Sequence, residues 1–304
     1  MEHVPVLCEE IVNYLKPQSC GKYVDGTLGG GGHARSILSA SQPDGMLLGL
    51  DVDAYAINKA SDYLEVFGER LTIMKSSYVE MDRCIDKLGW EKVNGIILDL
   101  GLSSLQLSQP ERGFAFSTSG PLDMRFDLAG KLMAGDIVNS WSQTQIANIL
   151  YEYGDERQSR RIAKALIDSR PIKDTMQLAN IVLECKRGKK TRRHPATKTF
   201  QALRIAVNKE LANIANVLPK AIDILAPGGR LAVIAFHSLE DRLVKRFFKK
   251  ESQDCICPPE QISCVCRHEA SVLLLNRRPI RPTQFEINNN RRSRSAVLRI
   301  VERL

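Results

Sequence analysis

Four consecutive glycines, Gly29-Gly30-Gly31-Gly32, stand between a short apolar run ending in Asp25 and an amphipathic segment that begins at Ala34. Glycine loses more backbone freedom on folding than any other residue, so a merely structural turn gains nothing from four of them. Glycines do let a backbone approach a ligand closely, and this loop follows a strand, where open α/β sheets bind their ligands. The first hundred residues repeat the same strand-then-helix grammar. Strands are expected at Tyr23–Asp25, Met46–Asp51, Leu71–Lys75 and Gly95–Leu100, with helices near Ala34–Ser39, Ala54–Phe67 and Val79–Leu88. Nearly continuous apolar strands of this kind predict a parallel sheet covered on both faces.

A fifth strand, Arg230–Phe236, follows Pro227-Gly228-Gly229, and between Ser103 and about Leu211 the pattern turns helical, including Gln143–Tyr153, Arg157–Asp168 and Met176–Cys185. The spacing of Phe200, Leu203, Val207, Leu211, Ile214 and Leu218 predicts one helix over Ala196–Leu218 with a core-facing stripe. Ser271–Leu275 and Ala296–Val301 suit two antiparallel strands at the sheet edge, separated by a loop rich in Arg, Asn and Pro. A content of 43 % hydrophobic and 26 % charged residues in 304 excludes disorder and collagen-like repeats. The apolar stretches fall far short of the roughly 18–20 residues that span a bilayer. Glu2, His3, Glu9 and Glu10 flank the apolar start without a basic region, so no targeting peptide is expected and the reading is a cytoplasmic protein with no membrane partner. The net charge of +8 suits nucleic acid or an anionic surface, and equally suits plain solubility.

Asp51, 22 residues beyond Gly29, ends the second strand, where a carboxylate accepts hydrogen bonds from both hydroxyls of a ribose. A nucleoside cofactor follows. Gly29-x-Gly31-x-x-Ala34 also matches the dinucleotide fingerprint, which keeps a nicotinamide or flavin enzyme open. Asp25 and Asp99 crowd the same strand ends with negative charge, which suits a cationic methyl donor better than a diphosphate. Asp99, with Ser103 and Ser104 just past it, is the expected chemical centre, one of the serines also capping a helix.

Several ordered motifs carry a resemblance. They include Asp25-Gly26-Thr27-x-Gly29-x-Gly31-Gly32-His33, Leu98-Asp99-Leu100-Gly101-x-Ser103-Ser104, Glu111-Arg112-Gly113-Phe114, Gly120-Pro121-Leu122-Asp123-Met124-Arg125 and His194-Pro195-Ala196-Thr197. Pro227-Gly228-Gly229-Arg230-Leu231, Phe236-His237-Ser238-Leu239-Glu240-Asp241-Arg242 and Arg294-Ser295-Ala296-x-Leu298-Arg299 complete the set. End to end, the chain resembles the RsmH (MraW) family of bacterial 16S ribosomal RNA cytosine-N4 methyltransferases.

The resemblance implies an α/β fold, a class I (Rossmann-like) S-adenosylmethionine-dependent methyltransferase sheet, in two parts, 1–106 and 211–304, around an inserted helical RNA-recognition domain, 107–210. It implies S-adenosylmethionine as donor and, as partner and acceptor, a cytidine in the decoding region of 16S ribosomal RNA in the small ribosomal subunit. Donor contacts carried over by motif fall on Gly31, Gly32, His33, Asp51, Tyr78, Asp99 and Gln106. The Pro-Pro-Tyr or Pro-Pro-Phe element of many amino-methyltransferases is replaced here by Leu100-Gly101-Leu102-Ser103-Ser104, so base contacts are not transferable from those enzymes.

Methyl transfer to an exocyclic amine is an in-line displacement in which positioning dominates, helped by an acceptor on the amine and followed by loss of a proton. Asp99 is the candidate acceptor and Ser103 a second. His33, His194 and His237 are proton carriers by residue type, but none takes a firm catalytic role. Lys186-Arg187-Gly188-Lys189-Lys190-Thr191-Arg192-Arg193 forms one basic cluster, and Arg277, Arg278, Arg281, Arg291, Arg292 and Arg294 form another, both suited to phosphates. Cys255-x-Cys257 and Cys264-x-Cys266, with His268 nearby, have spacing that can close a tetrahedral zinc site, or remain free thiols; no metal is assigned. A non-enzymatic RNA-binding assembly factor stays open as an alternative, and nothing in the sequence fixes an oligomeric state.

Overall fold

The computed structural model describes residues 5–186, 194–258, 260–261 and 263–304. Seven strands form one sheet: β1 Lys22–Asp25, β2 Met46–Asp51, β3 Leu71–Lys75, β4 Val93–Asp99, β5 Leu225–Ala235, β6 Val272–Leu274 and β7 Val297–Arg303. Their order is β3-β2-β1-β4-β5-β7-β6. The first five run parallel, and β7 pairs antiparallel with both β5 and β6. The chain order therefore reverses between β1 and β4, which opens a crevice at their carboxyl ends.

The two-sided burial has a direct sequence cause. Along β1, β2, β4 and β5, Val24, Leu48, Leu50, Ile96, Leu98, Leu231 and Val233 fill one core, while the alternate residues Tyr23, Leu47, Ile97, Ala232 and Ile234 fill the other. Successive side chains point to opposite faces, so a strand buried on both sides reads as an unbroken apolar run. Helices Met81–Lys87, Glu210–Ile224 and Ser238–Glu251 add Cys84, Val217 and Phe248 to the first core. Helices Cys8–Leu15, Gly32–Ala40 and Ala54–Leu64 add Ile11, Ile37 and Leu64 to the second.

The chain divides into two compact units, Met1–Gly101 with Leu211–Leu304, and Leu102–Glu210. The second unit has its own core, drawn from helices Ala134–Ser140, Gln143–Gly154, Ser159–Asp168, Thr175–Cys185 and Thr197–Asn208. Its irregular stretch ahead of these helices is tied down by charge. The buried Arg112 guanidinium donates to the carbonyls of Arg125 and Phe126, both at 2.9 Å, and Arg125 forks onto Asp123 at 2.8 and 2.7 Å. Gly113 has φ +71°, and a Cβ there would meet the Pro121 carbonyl at 2.1 Å, so no other residue fits this crossing. The motifs around Arg112 and Asp123 thus help build this unit.

The single helix expected over Ala196–Leu218 is two helices, Thr197–Asn208 and Glu210–Ile224. Lys209 between them is left-handed at φ 53°. The break is locked by Asn208, whose amide donates to the Met124 carbonyl at 2.7 Å and accepts from the Phe126 N–H at 2.7 Å, and by a bidentate Arg204–Glu210 pair at 2.8 Å. Hydrophobic spacing alone does not register such a break, because the apolar stripe continues across it. No helix among the described residues is long and apolar enough to cross a membrane.

Candidate active site

Three carboxylates end adjacent strands: Asp51 on β2, Asp25 on β1 and Asp99 on β4. The glycine loop is threaded among them by backbone hydrogen bonds. Gly29 N–H donates to Asp51 Oδ2 at 2.8 Å, Leu28 N–H to the Leu50 carbonyl at 2.9 Å, and Gly26 N–H to the Ile97 carbonyl at 3.0 Å. Asp51 Oδ1 accepts from Asp53 N–H at 2.9 Å, and Asp53 in turn caps the next helix through Tyr55 N–H. The Thr27 hydroxyl accepts from Asp99 N–H at 2.6 Å, and Thr27 N–H donates to Asp25 Oδ1 at 3.1 Å.

Helix Gly32–Ala40 begins at Gly31, left-handed at φ 82°, with no side-chain cap. A Cβ on Gly31 would meet Leu64 Cδ1 at 2.8 Å, whereas one on Gly30 would meet nothing within 4 Å. The loop is thus packed on one side and open on the other. His33 Nε2 lies 2.8 Å from the Val6 carbonyl, an acceptor only, so this nitrogen carries the proton. Its Nδ1 faces Asp99 Oδ2 at 3.8 Å. Tyr78 begins a short 3₁₀ turn after β3, packs against the first core, and has its Cβ 3.1 Å from where a Gly26 Cβ would stand.

Burial of three like charges together has an electrostatic consequence. Asp25 is 1 % exposed, and burial, reinforced by the Asp51 charge, pushes its carboxyl up to about 7. Burial raises Asp51 as well, against the N–H groups of Asp53 and Gly29. Asp99 is raised well above the usual carboxylate range by burial, then by the charges of Asp25 and Glu240. Asp25 Oδ2 and Asp99 Oδ1 are buried and lack a hydrogen-bond partner among the described residues. A ligand bringing hydrogen-bond donors and positive charge to such a site would lower the cost of ionising all three acids.

The sign of the pH dependence follows. An Asp25 raised from 3.8 to about 7 stabilises the folded state fully below about pH 4 and loses that contribution as pH rises through about 7. We expect Asp25→Asn to flatten the fall in ligand-free stability between about pH 4 and 8 by a few kcal/mol. Chemical denaturation across that range measures it; parallel wild-type and variant curves would refute the assignment.

Of the residues singled out from sequence, Gly31, Gly32, His33, Asp51, Tyr78 and Asp99 lie in the loop or at the ends of β2, β3 and β4. Gln106 lies in the second unit, where it forms a capping box with Ser103: Ser103 Oγ accepts from Gln106 N–H, and Ser103 N–H donates to Gln106 Oε1, each at 3.2 Å. The other two histidines have structural work. His194 stacks on Phe116, with ring centroids 4.5 Å apart, and His237 caps helix Ser238–Glu251 in a capping box with Glu240. Sequence reading gave no individual role to Thr27, to the Val6 carbonyl or to Glu240, which is 0 % exposed and whose Oε2 accepts from Phe236 N–H at 2.8 Å. Only Glu240 left a signal, a carboxylate three residues past a helix cap.

The parallel sheet with its reversed seventh strand, a glycine loop after β1 and acids at the ends of β1, β2 and β4 has the class I (Rossmann-like) methyltransferase architecture. Sequence comparison gives the particular family. The model of the MraW methylase family matches residues 1–304. Proteins named ribosomal RNA small subunit methyltransferase H are 46 % identical over 302 residues in Dehalococcoides mccartyi, covering 99 % of this chain and 86 % of that one. The Thermomicrobium roseum relative is 47 % identical over 305 residues, covering 99 % and 94 %, and that of Geobacter sulfurreducens 47 % over 307, covering 99 % of each. This chain belongs to the MraW methylase family.

Proposed function

We propose that this protein methylates the exocyclic N4 of a cytidine in the decoding region of 16S ribosomal RNA, acting on the small ribosomal subunit in the cytoplasm. The observation that carries this reading is end-to-end identity of 42–47 % with proteins named ribosomal RNA small subunit methyltransferase H. S-adenosylmethionine supplies an electrophilic methyl on a sulfonium. Asp51 takes the ribose hydroxyls of the donor, using lone pairs left over from Gly29 and Asp53. Gly31, Gly32 and His33 form the loop along the donor and Tyr78 flanks its adenine; Gln106 is a donor contact by family motif alone.

Asp99 accepts a hydrogen bond from the attacking amine. That contact concentrates the nitrogen lone pair, otherwise delocalised into the cytosine ring, on N4. With the donor bound, N4 would take the methyl with the sulfur as leaving group and would then have to shed a proton. A carboxylate whose affinity for protons is raised by burial is the better acceptor for it, which is what Asp99 offers.

The acceptor cytidine has to leave its stack, so the phosphates around it need a grip. Arg277, Arg278, Arg281, Arg291, Arg292 and Arg294 are all exposed on the loop between β6 and β7 and supply one. Of the other cluster, residues 187–193 lie outside the described residues. Lys186, its first member, is committed elsewhere: it pairs with the buried Glu156 and donates to the Pro195 carbonyl at 2.8 Å. Replacing Lys189, Lys190, Arg192 and Arg193 with Ala should weaken RNA binding and reduce its salt slope by up to about 3, leaving donor binding intact. An unchanged slope in a filter-binding salt titration would remove that cluster from the interface.

The deciding experiment is transfer from labelled S-adenosylmethionine to small subunits lacking the modification, with naked 16S RNA alongside, followed by nucleoside mass spectrometry. N4-methylcytidine is the expected product. Methyl on another base or on ribose overturns the acceptor assignment, and RNA binding without transfer to either substrate favours an assembly factor. Binding of NAD in preference to S-adenosylhomocysteine overturns the donor.

A further inference from the structure

Between helix Ser238–Glu251 and edge strand β6 runs a loop, Ser252 to Ser271, with no helix or strand among its described residues. Loops longer than about 12–15 residues without secondary structure are uncommon in compact domains and need a reason to be ordered. The ends of this one are tied: Ser271 N–H donates to the Glu251 carbonyl at 2.8 Å, and Ala270 N–H to Asp254 Oδ1 at 3.3 Å. Among the described residues of its middle, the large apolar side chains Ile256 and Val265 are 40 % and 68 % exposed and build no core.

What gathers the middle is sulfur. The thiols of Cys255, Cys257, Cys264 and Cys266 all lie within 4.8 Å of one another. Cys264 and Cys266 are 3.6 Å apart, and Cys266 and Cys255 are 3.8 Å apart. Four sulfurs held at about 2.3 Å from a tetrahedral metal stand about 3.8 Å from each other, so the observed spacing is that of a ligand set and far longer than a disulfide bond.

The backbone is arranged for thiolates as well. Ile256 N–H points at Cys266 Sγ at 3.4 Å, Cys257 N–H at Cys255 Sγ at 3.5 Å and Val265 N–H at Cys257 Sγ at 3.5 Å. Donors aimed at sulfur stabilise its anionic form and do little for a neutral thiol. His268 stands apart: its Nδ1 is 2.8 Å from the Gln253 carbonyl, and its Nε2 is 3.8 Å from Glu251 Oε2. The imidazole that sequence spacing brought into consideration is thus engaged at the base of the loop, and the donor set is four sulfurs.

We propose that Cys255, Cys257, Cys264 and Cys266 bind one structural zinc ion that pins the loop between helix Ser238–Glu251 and the sheet edge. Four thiolate donors leave no open coordination position, which marks a structural rather than a catalytic metal. Loading the four thiols with one Zn²⁺ forms four Zn–S bonds and releases four protons, so zinc affinity falls as pH is lowered. None of the four cysteines belongs to the glycine loop after β1.

The test is metal analysis by inductively coupled plasma mass spectrometry on full-length protein purified under reducing conditions without chelator. About one zinc per chain is expected. The double variant Cys257→Ser with Cys264→Ser should retain less than about a tenth of that, bind S-adenosylhomocysteine like wild type, and be cut faster within 252–271 in limited proteolysis. Replacing zinc by Co²⁺ should give the intense near-ultraviolet thiolate charge-transfer and visible bands of a tetrahedral sulfur site. Zinc-free protein that takes up none when reduced and supplied with ZnCl₂ overturns the proposal. So does full zinc in the double variant, iron in its place, or intact-mass loss of four hydrogens showing two disulfides.

Discussion

Replacing Asp99 with Asn should lower methyl transfer about 10²–10⁴-fold while leaving the protein folded. Asn keeps a carbonyl oxygen where Asp99 Oδ1 now lies buried without a partner, but it carries no charge and takes no proton. The loss should therefore appear in the chemical step. Single-turnover transfer to small subunits reads that step, and calorimetry with S-adenosylhomocysteine separates it from donor binding. Stability should not suffer, because Asn removes one of the acids that burial, Asp25 and Glu240 make costly to ionise. Wild-type turnover with unchanged donor affinity would remove Asp99 from both of its roles.

Asp51→Ala should weaken S-adenosylhomocysteine binding about 100-fold. Charge-assisted hydrogen bonds contribute about 1.5–3 kcal/mol each, and losing roughly 3 kcal/mol corresponds to that factor. Part of the loss is indirect. Without the carboxylate, Gly29 N–H and Asp53 N–H lose their acceptor, and the loop after β1 loses its tie to β2. Asp51→Asn, which preserves one acceptor oxygen, should fall between wild type and Ala in the same titration. Equal affinity in all three proteins would mean that the ribose is held elsewhere.

Part of this architecture was legible from local chemistry. Runs such as Met46–Asp51 and Gly95–Leu100 read as strands because both faces are buried, and the structure places strands at Met46–Asp51 and Val93–Asp99. Acids at strand ends and four glycines between strand and helix are local patterns too. Local patterns were misleading where a distant residue intervenes. The apolar stripe through Phe200 and Ile214 continues across Lys209, yet Asn208 and Glu210 break the helix there through Met124, Phe126 and Arg204. Lys186 counted as one more cation in a basic run until the buried Glu156, 30 positions earlier, claimed it.

By itself the sequence determined the sheet's strands, the place of the glycine loop, the carboxylates at the strand ends and the family, because each is written in contiguous residues. Tertiary structure alone decided what those carboxylates are. Asp25, Asp51 and Asp99 come from three separate strands, and an acid's proton affinity depends on what lies within a few ångströms of it, not on its neighbours in sequence. The same holds for the cysteines. Their spacing along the chain permits either free thiols or a metal site, and only the folded loop, which sets sulfurs 3.6 and 3.8 Å apart with backbone N–H groups aimed at them, favours the metal.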